Sequence, residues 1–282
     1  MKYESYFKNY LTAVEAKLDS VLPPAKQHPA EIHQAMRYSV FPAGKRFRPV
    51  VTLAACEAAG GSIEDAILPA VSLELIHCFS LVHDDLPAMD DDDERRGQPS
   101  CHKKFGEAIA LLAGDGLVNL AFHILAKSQP PAQALQLLDE ISTATGTYGM
   151  IGGQAAELSA PKNLNLPMLD FISIHKTGML IKASAVCGAI AAGANKDVRS
   201  RMLHYGEAMG LAFQLIDDCL DGDGYLKIIP EVEAHQKARD LIAHAKREIH
   251  HLGKKGEKLV TLADYLLKRL PNIKHGKVDR KN

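Results

Sequence analysis

The sequence predicts an all-α fold of about ten helices, because apolar residues recur at intervals of three and four over long stretches. No segment alternates apolar and polar residues long enough to require a strand, and no succession of strand–helix–strand units is visible. The chain has 282 residues, of which 46% are hydrophobic, and can therefore bury a sizeable core. One large domain or two small ones both fit this length.

Two consecutive helices are predicted ahead of the most acidic part of the chain. Pro49–Ala59 (PVVTLAACEAA) begins with a proline suited to a first helical turn, and Gly60-Gly61 after it favours a helix end. In the next helix Ser62 and Asp65 can cap the first turn. An apolar stripe then leads directly to Asp84; it consists of Leu68, Val71, Leu75, Cys78, Phe79 and Val82.

The same periodicity predicts further helices along the rest of the chain. They cover Glu107–Lys127, Gln133–Thr145, Pro167–Gly193, Val198–Leu220, Glu231–Leu252 and Leu259–Leu270. The stretch AVCGAIAAGA at 185–194 consists largely of small residues, so we expect it to pack closely against neighbouring helices. The tail from Pro271 onward is basic and is expected to be loose.

The charge and cysteine content exclude some classes of protein. Lysine and arginine number 33 against 34 aspartates and glutamates, giving a net charge of −1. We therefore do not expect a nucleic-acid-binding protein that acts through a global positive field. The five cysteines form no CxxC pair, and their odd number fits a reducing cytosol better than a disulfide framework.

The distribution of apolar residues predicts a cytoplasmic protein. The N-terminal segment carries charges throughout and contains no apolar core of the signal-peptide type. The longest apolar stretch, Ala108–Ala126, is interrupted by Asp115, Asn119 and His123, which disfavours a membrane span. We expect neither export nor a membrane-spanning helix.

Two aspartate clusters follow apolar helical runs, and the second is LIDDCLD. It places Asp217 and Asp221 four residues apart on one helix face, with Asp218 beside them. These carboxylates repel one another, and the negative end of the helix dipole adds to the cost. A divalent cation reverses both effects, and an oxygen-only ligand set favours Mg²⁺ over Zn²⁺.

The first cluster lies in HDDLPAMDDDDERRG, at 83–97. Pro87 disfavours helical geometry before it, so the preceding helix should end near Asp85. Asp90 could then fold back toward Asp84. The run Asp91–Glu94 also has a simpler interpretation as a solvated surface. An EF-hand calcium loop is excluded, because neither cluster is followed by the glutamate that such a loop needs at its last position.

A polyphosphorylated compound is the expected ligand of such clusters, because Mg²⁺ keeps few protein ligands and is usually shared with substrate phosphates. The chain contains neither GxxxxGK[ST] nor GxGxxG, so a nucleotide-binding fold is not indicated. We expect instead a diphosphate whose other end lies among apolar helices. Basic side chains near it would come from Lys45, Arg46, Arg48, Arg95, Arg96 and Lys176.

Six motifs resemble those of the short-chain trans-prenyl diphosphate synthases, and most closely the bacterial farnesyl diphosphate synthases (geranyltranstransferases). In chain order they are GKRFRP, ELIHCFSLVHDDLPAMDDDDERRG, LLAGDGL, GMIGGQ, HKTG and FQLIDDCLD. The resemblance runs from about Tyr38 to Leu220 and resumes, more weakly, over the last helices. The resemblance implies a single-domain bundle of helices around a central cavity, which we place at residues 1–270, ahead of the basic, flexible tail expected at 271–282. It also implies a homodimer.

The resemblance further implies a role for each motif residue. Asp84, Asp90 and Asp217 would hold Mg²⁺, with Asp85, Asp218 and Asp221 in support. Arg95, Lys176 and Gln214 would grip an allylic diphosphate, and Lys176, Thr177 and Gln214 would shield a carbocation. Isopentenyl diphosphate would be bound by Gly44, Lys45, Arg48, His77 and Arg96. Without the motif, His77 would be interpreted as a buried core histidine.

The implied reaction is the Mg²⁺-dependent, head-to-tail condensation of isopentenyl diphosphate with dimethylallyl and then geranyl diphosphate, which gives farnesyl diphosphate. Phe79 lies five residues before Asp84, which places it about 140° around the helix from that aspartate. By resemblance Phe79 limits the product length together with the insertion Pro87-Ala88. Geranyl diphosphate as the product is the alternative.

The chain departs from the family after Asp221. The family continues through a longer loop with GKxxGxD and KxTYP, whereas only GDGYLKIIP separates Asp221 from Glu231. Lys227 is not a safe substitute for the missing lysine, and Glu157 stands where the family often has aspartate. A non-catalytic, synthase-like regulatory subunit is therefore an alternative. An all-α metal phosphohydrolase, suggested by His83-Asp84, is another, although the thirteen histidines show no supporting cluster.

Overall fold

A computed structural model of the chain describes residues 2–41, 44–161 and 163–271, and these residues form an all-α structure, as predicted. The α-helices are α1 Tyr3–Tyr6, α2 Lys8–Val21, α3 Ala30–Val40, α4 Phe47–Ala58, α5 Ile63–Asp84, α6 Cys101–Phe105, α7 Glu107–Leu125, α8 Pro131–Thr145, α9 Met150–Leu158, α10 Leu166–Ile172, α11 Met179–Ala191, α12 Lys196–Asp221, α13 Glu231–Ile249 and α14 Glu257–Arg269. A π-helical segment, Ser173–Gly178, joins α10 to α11, and 3₁₀ segments cover Gly224–Lys227 and His250–Gly256. Strands β1 (Glu94–Arg95) and β2 (Gln98–Pro99) form an antiparallel hairpin.

Helix α5 is the axis of the bundle and packs against α2, α4, α7 and α11. Ser62 and Asp65 form a reciprocal capping box at its start, as the sequence predicted. Because α5 has neighbours on most of its circumference, its buried residues are distributed around the helix rather than along one stripe. The end of α5 at Asp84 is therefore held in a fixed position.

Small residues bring α4, α11 and α12 close together, which confirms the expectation for 185–194. A Cβ added at Gly188 of α11 would lie 2.3 Å from the Thr52 carbonyl oxygen of α4. A Cβ added at Gly206 of α12 would lie 2.6 Å from the Lys182 Cα of α11. Contacts this short leave no room for a larger side chain, so the three helices form one tightly packed layer.

The π-helical segment is an element that the sequence did not reveal. Helical periodicity predicted a single helix over Pro167–Gly193, and the structure instead has α10, the π-helical turn and α11 in succession. A π-turn inserts a residue without changing the apolar character of the sequence, and such turns occur frequently at functional sites. Lys176 and Thr177 lie on this turn.

The remaining helix predictions agree with the structure to within a few residues at each end. Helices α1, α2, α3, α6 and α9 and the hairpin were not predicted; α1, α6 and the two strands are too short to show a periodic pattern. Pro42, Ala43 and the predicted basic tail after Pro271 lie outside the described residues.

Within the described residues, α5 and α7 are long and apolar enough to cross a membrane by length and composition. The most apolar window of α5 is 61% buried inside the protein, and that of α7 is 39% buried. Core helices of soluble proteins satisfy the same test, so it does not distinguish a span from a core helix.

A buried arginine connects the first helices of the bundle. The Arg46 side chain donates to the carboxylates of Glu15 and Glu74, each at 2.7 Å, and to the Val40 carbonyl oxygen at 2.9 Å. Arg46 has a left-handed backbone with φ 50°, and it is 2% exposed, as is Glu74. This arginine, at the start of α4, therefore joins α2, α3 and α5, and its guanidinium hydrogen bonds are taken up by protein partners.

Replacing Arg46 by alanine should lower the free energy of unfolding by about 3–5 kcal/mol, because it leaves the Glu74 carboxylate buried without its cation. The matched control is Arg201→Ala, which removes an exposed arginine paired with Asp197. That change should cost about 1 kcal/mol or less. Urea denaturation of both variants measures the difference, and equal losses would contradict the structural role of Arg46.

Candidate active site

The first acidic cluster is shaped by the break that Pro87 introduces. Helix α5 ends at Asp84, and the Asp90 N–H donates to the Asp84 carbonyl oxygen at 2.8 Å. The loop between them thus folds back on the helix end, as predicted. Asp85 is buried, and Asp90 is exposed.

The second acidic cluster lies at the end of α12. Gly222 adopts a left-handed conformation there, with φ 74°, and its N–H donates to the Asp218 carbonyl oxygen at 2.9 Å. Asp217 is half-buried, Asp218 is buried and Asp221 is exposed. Both clusters therefore occupy a helix C-terminus, where the dipole disfavours negative charge.

Each cluster faces one of two adjoining cavities. The cavity at Asp84 has a volume of about 410 Å³ and is largely apolar, with Phe79, Met150, Ile151 and Leu158 in its wall. The cavity at Asp217 has a volume of about 430 Å³ and is rich in cations. Its basic lining residues are Lys45, Arg46, Arg48, His77, Arg95, Arg96 and Arg269. Arg48, His77, Leu81 and Thr177 line both, so the two cavities meet at these side chains.

The Asp84 carboxylate lacks a compensating partner. Burial raises the pKa of Asp84 to about 6. The positive charge of Lys176 lowers this pKa, whereas the negative charges of Asp90 and Glu157 raise it further. Lys176 itself forms an ion pair with Glu157. Glu157 therefore takes up much of the positive charge that would otherwise neutralise Asp84.

Asp85 and Arg95 form a pair behind Asp84. The Arg95 Nε atom donates to Asp85 Oδ1 at 2.9 Å, and Arg95 Nη2 also donates to Asp92 Oδ2 at 2.7 Å. Burial raises the pKa of Asp85, and Arg95 opposes that shift. The pair holds the guanidinium in the wall of the cationic cavity.

Asp217 and Asp218 have different partners. Arg269, in the last turn of α14, donates to Asp217 Oδ1 at 2.6 Å. Asp218 accepts from the Gln214 amide at 2.8 Å and from the Tyr225 backbone N–H at 2.9 Å. Burial raises the pKa of both carboxyls, and these donors oppose it. Asp218 thus fixes the chain after α12.

Thr177 and Gln214 connect the π-helical turn to α12. The Thr177 hydroxyl donates to Gln214 Oε1 at 2.8 Å, and the Gln214 amide continues to Asp218. Both side chains line the cationic cavity, and Lys176 lines the apolar one. The three residues predicted to surround a reacting group are therefore brought together at the junction of the cavities.

His77 and Arg48 form the basic wall between the cavities. Burial lowers the pKa of His77 well below its usual value, and the surrounding arginines, Arg48 foremost, lower it further. His77 is therefore neutral at physiological pH. Burial lowers the pKa of Arg48 too, and Glu74 opposes that shift. Gly44 belongs to the same wall, where an added Cβ would lie 3.0 Å from Arg96 Nη2.

The short connection after Asp221 packs against α10 and α13. Tyr225 is buried, and its hydroxyl donates to Asp170 Oδ1 at 2.5 Å. Lys237 of α13 donates to the same oxygen at 3.0 Å. Lys227 is exposed and forms an ion pair with Asp223. The one lysine in this connection thus has a local partner and does not line either cavity.

Sequence reasoning missed Arg269 and the Lys176–Glu157 ion pair. Arg269 lies 52 residues beyond Asp217 and also stacks on Phe213, with its guanidinium carbon 5.4 Å from the ring centre. A single arginine in the last turn of an amphipathic helix resembles an ordinary surface cation. Its only sequence signal is its position at a helix C-terminus, which many surface arginines share.

The donor atoms of the two clusters fit a hard divalent cation. Asp84, Asp90, Asp217 and Asp221 offer oxygen only, which suits Mg²⁺. Asp90 and Asp221 are exposed, and Asp84 is the least compensated of the acids described above. Asp85 and Asp218 have protein partners, so they are better placed to support the ligands than to bind a cation directly.

Comparisons with known proteins find a matching family, similar sequences and a similar solved structure. Residues 29–228 match the polyprenyl synthetase family. The chain is 40% identical to a dimethylallyltranstransferase of Fischerella ambigua over 91% of this chain and 80% of the relative. It is 36% identical to geranylgeranyl pyrophosphate synthase 7 of Arabidopsis thaliana over 95% and 84% of the two chains. A solved FPP/GFPP synthase of Zymomonas mobilis superposes with a TM-score of 0.89, at 33% identity, over 94% of this chain and 98% of that one.

Replacing Asp84 by asparagine should stabilise the metal-free protein at pH 7.5. The folded-state pKa of about 6 exceeds the ordinary value of 3.8, so the folded protein bears a cost whenever Asp84 is ionised. The gain should therefore be full above pH 6 and vanish as the pH falls toward 3.8.

Urea denaturation in EDTA across this pH range measures the effect, with Asp139→Asn on the exposed surface of α8 as the control. A gain that does not change with pH would contradict the assignment to Asp84.

Proposed function

Because the chain belongs to the polyprenyl synthetase family, and is thus a prenyltransferase, we propose that it makes farnesyl diphosphate. The proposed reaction is the Mg²⁺-dependent condensation of isopentenyl diphosphate with dimethylallyl and then geranyl diphosphate, with release of diphosphate. One observation supports it above all others. The apolar cavity, with Asp84 at its edge, adjoins the cationic cavity. Lys176, Thr177 and Gln214 lie where the two cavities meet.

The two cavities suit the two substrates. The allylic substrate would place its hydrocarbon chain along Phe79, Met150 and Ile151, with its diphosphate near Asp84 and Lys176. Isopentenyl diphosphate would place its diphosphate among the cations of the second cavity. Guanidinium groups bind phosphate oxygens in pairs, so Arg48 and Arg96 can orient this anion as well as attract it.

The reaction needs an anionic leaving group to depart in a water-poor pocket. When bound, Mg²⁺ neutralises the charge that develops on the diphosphate. Lys176 adds a cation beside the breaking C–O bond, while the oxygens of Thr177 and Gln214 face the carbocation that remains. The alkene of isopentenyl diphosphate then attacks, and the departing diphosphate accepts the proton that is lost. No side chain is required as the base.

The farnesyl product is supported by the wall of the apolar cavity. The Phe79 ring lies on His83 in an edge-on contact, with 4.8 Å between ring centres, and both side chains line the cavity. An aromatic ring fixed in this position would block further growth of the product's hydrocarbon chain. The named relatives include a geranylgeranyl pyrophosphate synthase, so the proposed product length is supported by Phe79 and the Pro87-Ala88 insertion and not by the relatives.

We also propose that the protein is a cytoplasmic homodimer. Helix α7 is strongly apolar but only partly covered, with Leu111 and Leu112 exposed by 47% and 49%. Tyr148 and Ile151, near the start of α9, are also exposed. A second copy of the chain would bury these side chains, since exposed apolar groups of this kind are found at association sites.

A synthase-like regulatory subunit is the alternative that a structural feature favours. The connection from Asp221 to Glu231 is short, and Lys227 is paired with Asp223 away from the cavities. The phosphohydrolase alternative lacks support, because within the described residues the one group at metal-ligand spacing contains a single histidine.

The purified protein, incubated with Mg²⁺, isopentenyl diphosphate and either dimethylallyl or geranyl diphosphate, should release a fifteen-carbon diphosphate that chromatography identifies. A ten-carbon product would indicate a geranyl diphosphate synthase. Release of inorganic phosphate without condensation would indicate the hydrolase, and complete inactivity would indicate the regulatory subunit.

Asp84→Ala and Asp217→Ala should each reduce turnover by about 100-fold or more, as happens when preorganised electrostatic groups are removed elsewhere. Asp139→Ala, remote from both clusters, should leave turnover unchanged. Rates near normal in either cluster variant would refute the metal assignment.

Phe79→Ala should lengthen the product, because it removes the ring that limits the apolar cavity. Phe122→Ala, which changes a partly buried phenylalanine outside the cavity lining, is the matched control. Chromatography of the prenyl alcohols after phosphatase treatment reports the chain length. An unchanged product profile would remove Phe79 from the cavity wall.

A further inference from the structure

Beside the hairpin β1–β2, outside the residues assigned above, lies a separate group of metal-ligand atoms. One carboxylate oxygen each from Asp91 and Asp93 and one ring nitrogen of His102 lie within 4.8 Å of one another. Both carboxylates are exposed, and His102 is buried. The acidic cluster by itself would be an ordinary solvated surface.

The local fold brings these three side chains together. Asp91 has a left-handed backbone, with φ 51°, and its N–H donates to the Leu86 carbonyl oxygen at 3.2 Å. The hairpin then reverses the chain, so that the Ser100 N–H donates to the Asp93 carbonyl oxygen at 2.8 Å. His102 follows in the first turn of α6.

The imidazole of His102 is held in one orientation and has an unused nitrogen. Its Nδ1 lies 3.0 Å from the hydroxyl of the buried Ser100. His102 is 6% exposed, and among the described residues Nε2 has no hydrogen-bond partner. A buried nitrogen without a partner is costly, so Nε2 can gain from binding a ligand. Metal-binding histidines are commonly oriented in this way, by a hydrogen bond at the other ring nitrogen.

We propose that Asp91, Asp93 and His102 bind a divalent first-row transition cation of the Zn²⁺ type, with water completing its coordination. The imidazole nitrogen distinguishes this site from the oxygen-only clusters and disfavours Mg²⁺. Ligands around Zn²⁺ at about 2.1 Å lie about 3.4 Å apart, so the two exposed carboxylates need to move inward by about 1 Å.

Lys103 competes with the cation. Its Nζ lies 2.7 Å from Asp93 Oδ1, so in the metal-free protein the ammonium occupies one oxygen of that carboxylate. A carboxylate has a second oxygen, but two cations this close repel each other. Removal of the lysine charge should therefore strengthen metal binding, whereas removal of a ligand should weaken it.

Calorimetry and visible absorption with Co²⁺ or Zn²⁺ test the proposal on the full-length, untagged protein, in excess Mg²⁺ and without diphosphate. His102→Gln should reduce the metal stoichiometry by one. Asp91→Asn, which keeps a residue type that tolerates the left-handed backbone, should weaken binding by about 10-fold or more. Lys103→Met should tighten it.

Asp92→Asn and His244→Gln are the controls, because one changes a neighbouring exposed carboxylate and the other a distant histidine. Both should bind as the unchanged protein does. Circular dichroism checks the fold of His102→Gln, and the exposed Asp91 carries the test if that variant fails to fold. Equal metal binding by Asp91→Asn and the unchanged protein would overturn the proposal. Loss of the metal in Asp84→Asn would also overturn it, because the metal would then lie at the diphosphate site.

Discussion

Carboxylates concentrated at the C-terminal ends of α5 and α12 are the electrostatic constraint on which the rest of the site depends. Each helix end already carries the negative pole of its dipole, and partial burial raises the pKa of Asp84, Asp85, Asp217 and Asp218. The repelling carboxylates stay close together only if rigid helix packing holds the two helix ends in place. The close contacts of α4, α11 and α12, and the central position of α5, provide that stiffness.

The two aspartate pairs divide their roles in the same way. In each pair the second residue is buried and anchored, Asp85 by Arg95 and Asp218 by Gln214 and Tyr225. The first residue lines a cavity. Consecutive residues project about 100° apart on a helix, so a pair can serve one function on each side. This explains why the sequence contains paired rather than single aspartates.

Features that depend on a few neighbouring residues, such as the ends of α5, could be predicted from the sequence. Features that depend on contacts between distant helices could not. Pro87 and the Ser62 cap specify the ends of α5 through backbone rules that act over a few residues, and both predictions were confirmed. The pairing of Arg269 with Asp217 depends on how α14 lies against α12, which no local pattern encodes. The structural role of Arg46 was not predicted for the same reason, since its burial depends on Glu15 and Glu74 in other helices.

The π-helical turn has an evolutionary consequence. A π-turn is equivalent to one residue inserted into an α-helix, so deleting one residue from Ser173–Gly178 would restore a regular helix. The helix would survive, but the residues before the deletion would rotate by about 100° relative to α11. Lineages of this fold could thus gain or lose the alignment of Lys176 through a single codon, with the core of α11 left intact.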